Sequence, residues 1–199
     1  MRSFDPSKVP HIEVNHDVSQ LWSRPNLDLE IGCGQGLHAI QYCLAHPDRT
    51  LIAIERTHEK FSKALSRFQR HNSPDNLMLL QADAVAFAVH YVPEQVLKRI
   101  FLLYPNPYPK RKQANQRWHN SSWMGFLLQR LRPNGELILA TNLKWYAEEA
   151  KDRLTNQWGL SFDTERTIQG ERQLGRTHFE RKYLERGETC YEMIFRRLP

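Results

Sequence analysis

Short apolar-rich runs alternate along this chain with stretches in which apolar residues recur every three or four positions. Leu27-Asp28-Leu29-Glu30-Ile31 predicts a first strand running into glycines, and Leu37 to Ala45 predicts a helix. Thr50-Leu51-Ile52-Ala53-Ile54-Glu55 is almost continuously apolar, as a strand covered on both faces should be. Glu59 to His71 carries Phe61, Ala64, Leu65 and Phe68 at helical spacing. Leu77 to Gln81 is the third strand, Val85 to Tyr91 a short helix, and Arg99 to Leu103 the fourth strand. Tyr104-Pro105-Asn106-Pro107-Tyr108-Pro109 stops that strand, because three prolines in five residues can neither continue it nor enter a helix interior. Ser122 to Leu131 predicts a helix, Arg132-Pro133-Asn134-Gly135 a turn, Glu136 to Ala140 strand five, and Lys144 to Asn156 a long helix. Leu160 to Thr167 and Thr189 to Phe195 alternate as a pair of antiparallel strands does.

Five strands separated by helices predict a parallel, doubly wound sheet with right-handed crossovers and helices on both faces. The last two strands would complete a seven-stranded, mostly parallel α/β sheet of Rossmann-like form. Residues 1–25, punctuated by Pro6, Pro10 and Pro25, are expected to form an arm packed on the rest. Residues 26–199 read as one domain, since no repeat or low-complexity linker divides them.

Forty per cent apolar and 25% charged residues suit a soluble globular chain. Three cysteines without paired spacing exclude a disulfide scaffold and a cysteine-based zinc module. No apolar run approaches the roughly 20 residues of a membrane span, and Met1-Arg2-Ser3-Phe4-Asp5 opens no signal peptide. A reducing, cytoplasmic compartment is therefore expected. The net charge of +6 and pI near 9.3 suggest a polyanionic partner. The charge is concentrated: Lys110, Arg111, Lys112 and Arg117 lie in an acid-free stretch, and Arg172 to Arg186 holds five basic residues against Glu180 and Glu185. Lys110-Arg111-Lys112 and Arg117-Trp118-His119 combine cations with an aromatic ring, apt for phosphates and a splayed-out base. Trp123, Trp145 and Trp158 read as core residues and Cys33 as a small buried filler. His11 and His16 share a segment without a third ligand, so no metal is expected.

Glu30-Ile31-Gly32-Cys33-Gly34-Gln35-Gly36 marks the first strand-to-helix turn, where glycines permit a tight bend and a close ligand. It departs from the dinucleotide fingerprint G-x-G-x-x-G, because the glycines run G-x-G-x-G and position 37 is Leu. Glu30 would also repel a diphosphate, whereas an ammonium or sulfonium tolerates it. Glu55, 19 residues after Gly36, can accept both hydroxyls of a ribose. Asp83 can accept from an adenine amino group. Acids at three successive strand ends beside a glycine turn resemble the pattern of S-adenosylmethionine-dependent methyltransferases.

The fourth strand's exit narrows the resemblance. Leu103-Tyr104-Pro105-Asn106-Pro107-Tyr108-Pro109-Lys110-Arg111 resembles the F-P-D-P-W-P-K-K/R segment of the tRNA (guanine-N7-)-methyltransferases. Ala140-Thr141-Asn142-Leu143-Lys144-Trp145-Tyr146-Ala147 is similar to that family's A-T-D-x-x-x-Y-A, and Arg176-Thr177-His178-Phe179-Glu180-Arg181-Lys182 to its T-x-F-E-x-K/R. The likeness spans about residues 27–195. It implies S-adenosylmethionine as methyl donor, S-adenosylhomocysteine as product, and guanine N7 of tRNA as acceptor. It also implies cofactor contacts at Glu30, Gly32, Gly34, Gly36, Glu55, Asp83 and Asn106, with Asn106 beside the reacting base, and RNA or guanine contacts at Lys110, Asn142, Thr177 and Glu180. Asn106 and Asn142 stand where the family carries Asp, Tyr108 stands where it carries Trp, and the family's amino-terminal basic extension is abbreviated.

Guanine N7 carries a lone pair and no proton, so its methylation needs placement and stabilisation of the forming cation rather than a general base. Asn keeps an acceptor for guanine N1–H and N2–H but loses the charge, which typically costs about 1.5–3 kcal/mol per bond. Two further readings therefore stand: a cofactor-binding RNA-interaction subunit with little catalysis, and a methyltransferase for another nucleobase or a small nitrogen compound. The order Asn106-Pro107-Tyr108-Pro109 echoes, with one proline displaced, the N-P-P-Y loop of enzymes that modify exocyclic amines. A homodimer or a partner subunit is left open.

Overall fold

A computed structural model describes residues 3–14 and 17–199. Strands β1 (Leu27–Ile31), β2 (Thr50–Glu55), β3 (Leu77–Gln81), β4 (Leu97–Leu103), β5 (Leu131–Thr141), β6 (Ser161–Ile168) and β7 (Cys190–Arg196) form one sheet in the order β3-β2-β1-β4-β5-β7-β6. The first five are parallel, and β7 runs antiparallel between β5 and β6. The helices are α1 (Leu37–Ala45), α2 (His58–Arg70), α3 (Ala84–His90), α4 (Trp123–Leu128), α5 (Lys144–Asp152) and α6 (His178–Glu185).

Successive strand residues point to opposite faces, and the core divides accordingly. Leu29, Ile52, Ile54, Ile100 and Leu102 pack with Phe87 of α3, Trp123 and Leu127 of α4, and Tyr146 and Ala150 of α5. Leu51, Ala53, Phe101 and Leu103 pack on the other side with Ile40 and Cys43 of α1, Ala64 of α2 and Leu184 of α6. The seven-stranded, mostly parallel sheet with helices on both faces is thus present. Phe4, Ile12, Val14, Leu21 and Trp22 lean on the first of these layers. Tyr91 Oη donates to the Ile12 carbonyl at 2.6 Å, and the Phe4 and Phe126 rings lie 5.3 Å apart.

Strand β1 carries an apolar–polar alternation yet is buried throughout. Its polar positions share the α1 face, and each has a partner there. Asp28 accepts from Arg49 at 2.6 and 2.7 Å and from Tyr42 Oη at 2.8 Å, while Glu30 Oε2 lies 2.9 Å from His38 Nδ1. Burying a charge is tolerable only with such pairing.

Three boundaries depart from expectation. The predicted turn at Arg132–Gly135 lies inside β5, which starts at Leu131 and slips register against β4 between Leu97 and Arg99. Asn134, at φ 61°, donates its N–H to the Arg197 carbonyl at 2.9 Å, so the segment just after β7 absorbs the irregularity. The long fifth helix ends at Asp152 and passes into a π-turn, Arg153–Gln157. Helix α6 was not foreseen as a helix; Thr177 caps it, its side chain accepting the Glu180 N–H at 2.9 Å.

Candidate active site

The carboxyl ends of β1 to β4 open on a cleft of about 540 Å³. It lies where the winding of the sheet reverses, between β1 and β4, the place where doubly wound sheets hold ligands. The turn after β1 holds Gly32, Gly34 and Gly36 at φ 76°, 58° and 71°, conformations open chiefly to glycine. A Cβ on Gly32 or Gly34 would project into open space, and both glycines line the cleft, so the turn offers bare backbone to a ligand. Gly36 does something else. A Cβ there would sit 3.0 Å from that of Ala64, so its bareness lets α1 and α2 meet.

Glu55 ends β2 with its carboxylate turned back on the glycines. Oε2 accepts the Gly34 N–H at 3.0 Å and Oε1 the Thr57 N–H at 2.8 Å. A carboxylate accepts in about four lone-pair directions, so capacity remains for ligand hydroxyls. Asp83 caps α3 through Oδ1, which accepts from Val85 and Ala86 at 2.9 and 3.1 Å, and its Oδ2 lies 3.8 Å from Arg56. Glu30 lines a smaller adjoining pocket of about 50 Å³ together with Gly32, Gly34, Lys60 and Thr177. Cys33 is buried there, and burial followed by the charges of Glu30 and Glu55 pushes its thiol well above the usual range. It is a filler, not a nucleophile.

The proline loop after β4 supplies the opposite wall. Tyr104 and Tyr108 sit at φ 54° and 43°, left-handed backbone that costs a bulky residue about 1–3 kcal/mol. Two clamps hold it. Tyr104 donates its N–H to Ala140 O at 2.8 Å and its hydroxyl to Glu180 at 2.5 Å. Arg117 donates from Nε to the Pro107 and Tyr108 carbonyls, both at 3.2 Å, and from Nη1 to both Glu149 oxygens at 2.8 and 2.6 Å. Asn106 rides exposed on the crest, its Oδ1 accepting the Tyr108 N–H at 3.3 Å.

Beneath the loop, charges are locked rather than offered. Burial works to raise the Glu180 carboxyl, but Arg176, bonding it from backbone and guanidinium, holds it below the usual carboxylate range. Glu149 behaves alike under His119, Asn120 and Arg117, while burial pushes His119 down despite that carboxylate.

Of the residues singled out in the sequence, Gly32, Gly34, Glu55, Asp83 and Asn106 share the main cleft, and Glu30 and Thr177 share the adjoining pocket. Gly36 braces the turn. Lys110 is exposed outside both cavities, Glu180 is wholly buried under Tyr104, and Asn142 donates from Nδ2 to Glu188 at 2.7 Å. Arg117 and His119, expected to meet phosphates and a base, are buried instead and spent on Glu149. Trp145, expected in the core, is 39% exposed under the Arg117 guanidinium, 4.8 Å from its ring, while Trp123 is buried and Trp158 donates to His119 O at 2.8 Å. His11 lies against His90 with the rings tilted, centroids 4.9 Å apart; His16 lies outside the described residues. Among the described residues no group of three or more His, Cys, Asp or Glu is placed to hold a metal ion. Sequence reasoning missed Lys60, Phe179 and Tyr183 on the cleft wall. The one available signal was Lys60's position four residues before Ala64, on the helix face turned to the glycines.

A family model described as "Putative methyltransferase" matches residues 25–193. The tRNA (guanine-N(7)-)-methyltransferase of Alkalilimnicola ehrlichii is 30% identical over 175 residues, covering 85% of this chain and 71% of that protein. The chain belongs to the tRNA (guanine-N7-)-methyltransferase family. A second relative of that name, from Nitrosomonas eutropha, is 27% identical over 94% of this chain and 84% of its own length. Among solved structures, the 16S rRNA methyltransferase KamB superposes with a TM-score of 0.66 at 17% identity, each chain covered in full. A variant of the 16S rRNA (adenine(1408)-N(1))-methyltransferase from Catenulisporales acidiphilia, with cosubstrate SAM, gives 0.65 at 13% identity over 100% of this chain and 93% of that one. These two share the Rossmann-like methyltransferase fold with this family member.

Proposed function

We propose that this chain transfers a methyl group from S-adenosylmethionine to N7 of a guanine in tRNA. One observation carries the reading: in a chain of this family, bare Gly32 and Gly34, Glu55, Asp83 and Asn106 meet in one cleft at the strands' carboxyl ends. S-adenosylmethionine, when bound, supplies an electrophilic methyl group on a sulfonium centre. Glu55 would receive its ribose hydroxyls on the lone pairs that Gly34 and Thr57 leave open, and Asp83 its adenine amino group. The buried Glu30 carboxylate suits the positive end of such a ligand and disfavours a diphosphate, so the donor set fits.

No residue needs to take a proton from N7. The chain's task is to place the base in line with the methyl group and to steady the cation that forms. Asn106, exposed on a clamped loop at the cleft, would meet the base, with Tyr108 and Trp118, which line the same cleft, as flat surfaces. Neutral Asn106 favours weaker stabilisation than a carboxylate would give. That observation supports the second reading, an RNA-binding subunit of low turnover. A tRNA substrate would place the protein in the cytoplasm; no described helix is long and apolar enough to cross a membrane.

Titration calorimetry with S-adenosylmethionine tests the cofactor side. Glu55→Ala should weaken binding by about tenfold or more, the worth of a charge-assisted bond. Glu55→Gln, which keeps one acceptor and the turn's packing, should fall between it and the native chain. Equal affinity in all three would remove Glu55 from the site.

A further inference from the structure

Helices α2 and α6 flank the glycine turn, and positive charge gathers between them. Lys60 and Phe179 line both cavities, with Lys60 Nζ 5.8 Å from the ring centroid. Arg67 holds α2 to the turn by donating to Gln35 O at 2.7 Å, and Arg181 braces α6 by donating to Gly175 O at 2.9 Å. Other cations on this side have acidic partners: Lys63 pairs with Glu59 at 2.6 Å, Arg172 with Glu185 at 2.9 Å, Arg176 with Glu180 and Glu192, and Arg186 with Glu188 at 3.8 Å. Among the described residues, Lys60, Arg67, Arg70, Arg181 and Lys182 have no carboxylate within 4.0 Å. The field they make reaches His178 at the mouth of the smaller pocket, which burial and then Arg67, Lys182, Arg172 and Arg181 push toward its neutral form.

Five cations without a carboxylate within 4.0 Å repel one another, and an external polyanion relieves that repulsion. Lys60 to Arg70 covers about 15 Å of helix, comparable to four nucleotide steps of a duplex strand. Phe179, 39% exposed among these charges and stacked with Tyr183 at 6.3 Å, gives a neighbouring base an aromatic face. We propose that the α2–α6 ridge takes backbone phosphates of the tRNA and holds the RNA over the Thr177 end of the cleft. The inference rests on the tRNA reading above and names the surface it requires. The ridge sits on the sheet face opposite α5, so the RNA would approach from the α1–α2–α6 side.

The test reverses charge at the two exposed ridge positions outside both cavities, Arg70→Glu and Lys182→Glu, singly and together, with Arg153→Glu beyond α5 as the net-charge control for each single change. Equilibrium binding of unmodified tRNA is measured against salt, alongside KM and kcat for methyl transfer and the Kd for S-adenosylmethionine. The double variant should raise Kd and KM for tRNA about tenfold or more and flatten the salt slope by about 1.5, as expected for two lost phosphate contacts. Its kcat and cofactor affinity should hold, and Arg153→Glu should leave tRNA binding as it is. Equal effects in the single variants and the control, or a loss confined to kcat, would overturn the ridge. If the native chain binds tRNA without methylating it, the catalytic reading falls while the ridge is still judged on binding. If the native chain binds no tRNA, both fall.

Discussion

Arg117 shows how one side chain can be mistaken for a ligand contact and turn out to hold a loop. It stands beside three other cations in an acid-free stretch, and nothing nearby in sequence betrays its partner, because Glu149 is 32 residues away. The guanidinium reaches two loop carbonyls and both carboxylate oxygens at once, which a lysine ammonium cannot imitate. Removing one partner of a buried pair strands the other charge. Arg117→Ala should therefore cost about 3 kcal/mol of stability, toward the lower end because Glu149 keeps some solvent contact, and Arg117→Lys should recover little of it. Urea unfolding checks this; a loss under about 1 kcal/mol, the scale of a surface pair, would show that the clamp is not the loop's main restraint. Asn142 makes a related point. Position and motif advertise it, yet only the fold shows Glu188 taking its amide N–H, which leaves the amide oxygen as its acceptor.

At the scale of elements, β1 to β3 and α1 were legible to the residue because their signals are local: apolar runs, glycine stops and helical spacing agree. Legibility failed where tertiary contacts decide. Arg132-Pro133-Asn134-Gly135 has turn chemistry but is held in β5 by Arg197, the residue after β7. Helix α6 is short and mostly polar, and it is ordered by Thr177 at its start and by Glu180 bonded to Arg176 and Tyr104. That Gly32, Gly34, Glu55, Asp83 and Asn106 share one cleft was readable, since each lies at or just after the carboxyl end of a strand. The proposed RNA ridge was not, because α2 and α6 are far apart in sequence and meet only by packing on the same face of the sheet. The α1–α2 contact carries its own prediction. Gly36→Ala places a Cβ 3.0 Å from Ala64 and demands φ 71° of an alanine, so it should destabilise by about 1–3 kcal/mol. Thermal unfolding measures it; an unchanged midpoint would mean that the helices part at no cost.

For the molecule as a whole, the two faces of the sheet divide the work. The layer holding α3, α4, α5 and residues 3–14 is closed by aromatic packing, while the α1–α2–α6 layer borders the glycine turn and bears five cations without a carboxylate within 4.0 Å. Part of the net charge of +6 thus gathers on one face, and the cleft at the strands' carboxyl ends holds acids suited to a cationic donor. The central claim is methyl transfer to guanine N7. Incubation of the native chain with labelled S-adenosylmethionine and unmodified tRNA, followed by identification of the product nucleosides, tests it most directly. Label in 7-methylguanosine over many turnovers is the expected result. Label in another nucleoside, or none while the cofactor binds, would contradict it.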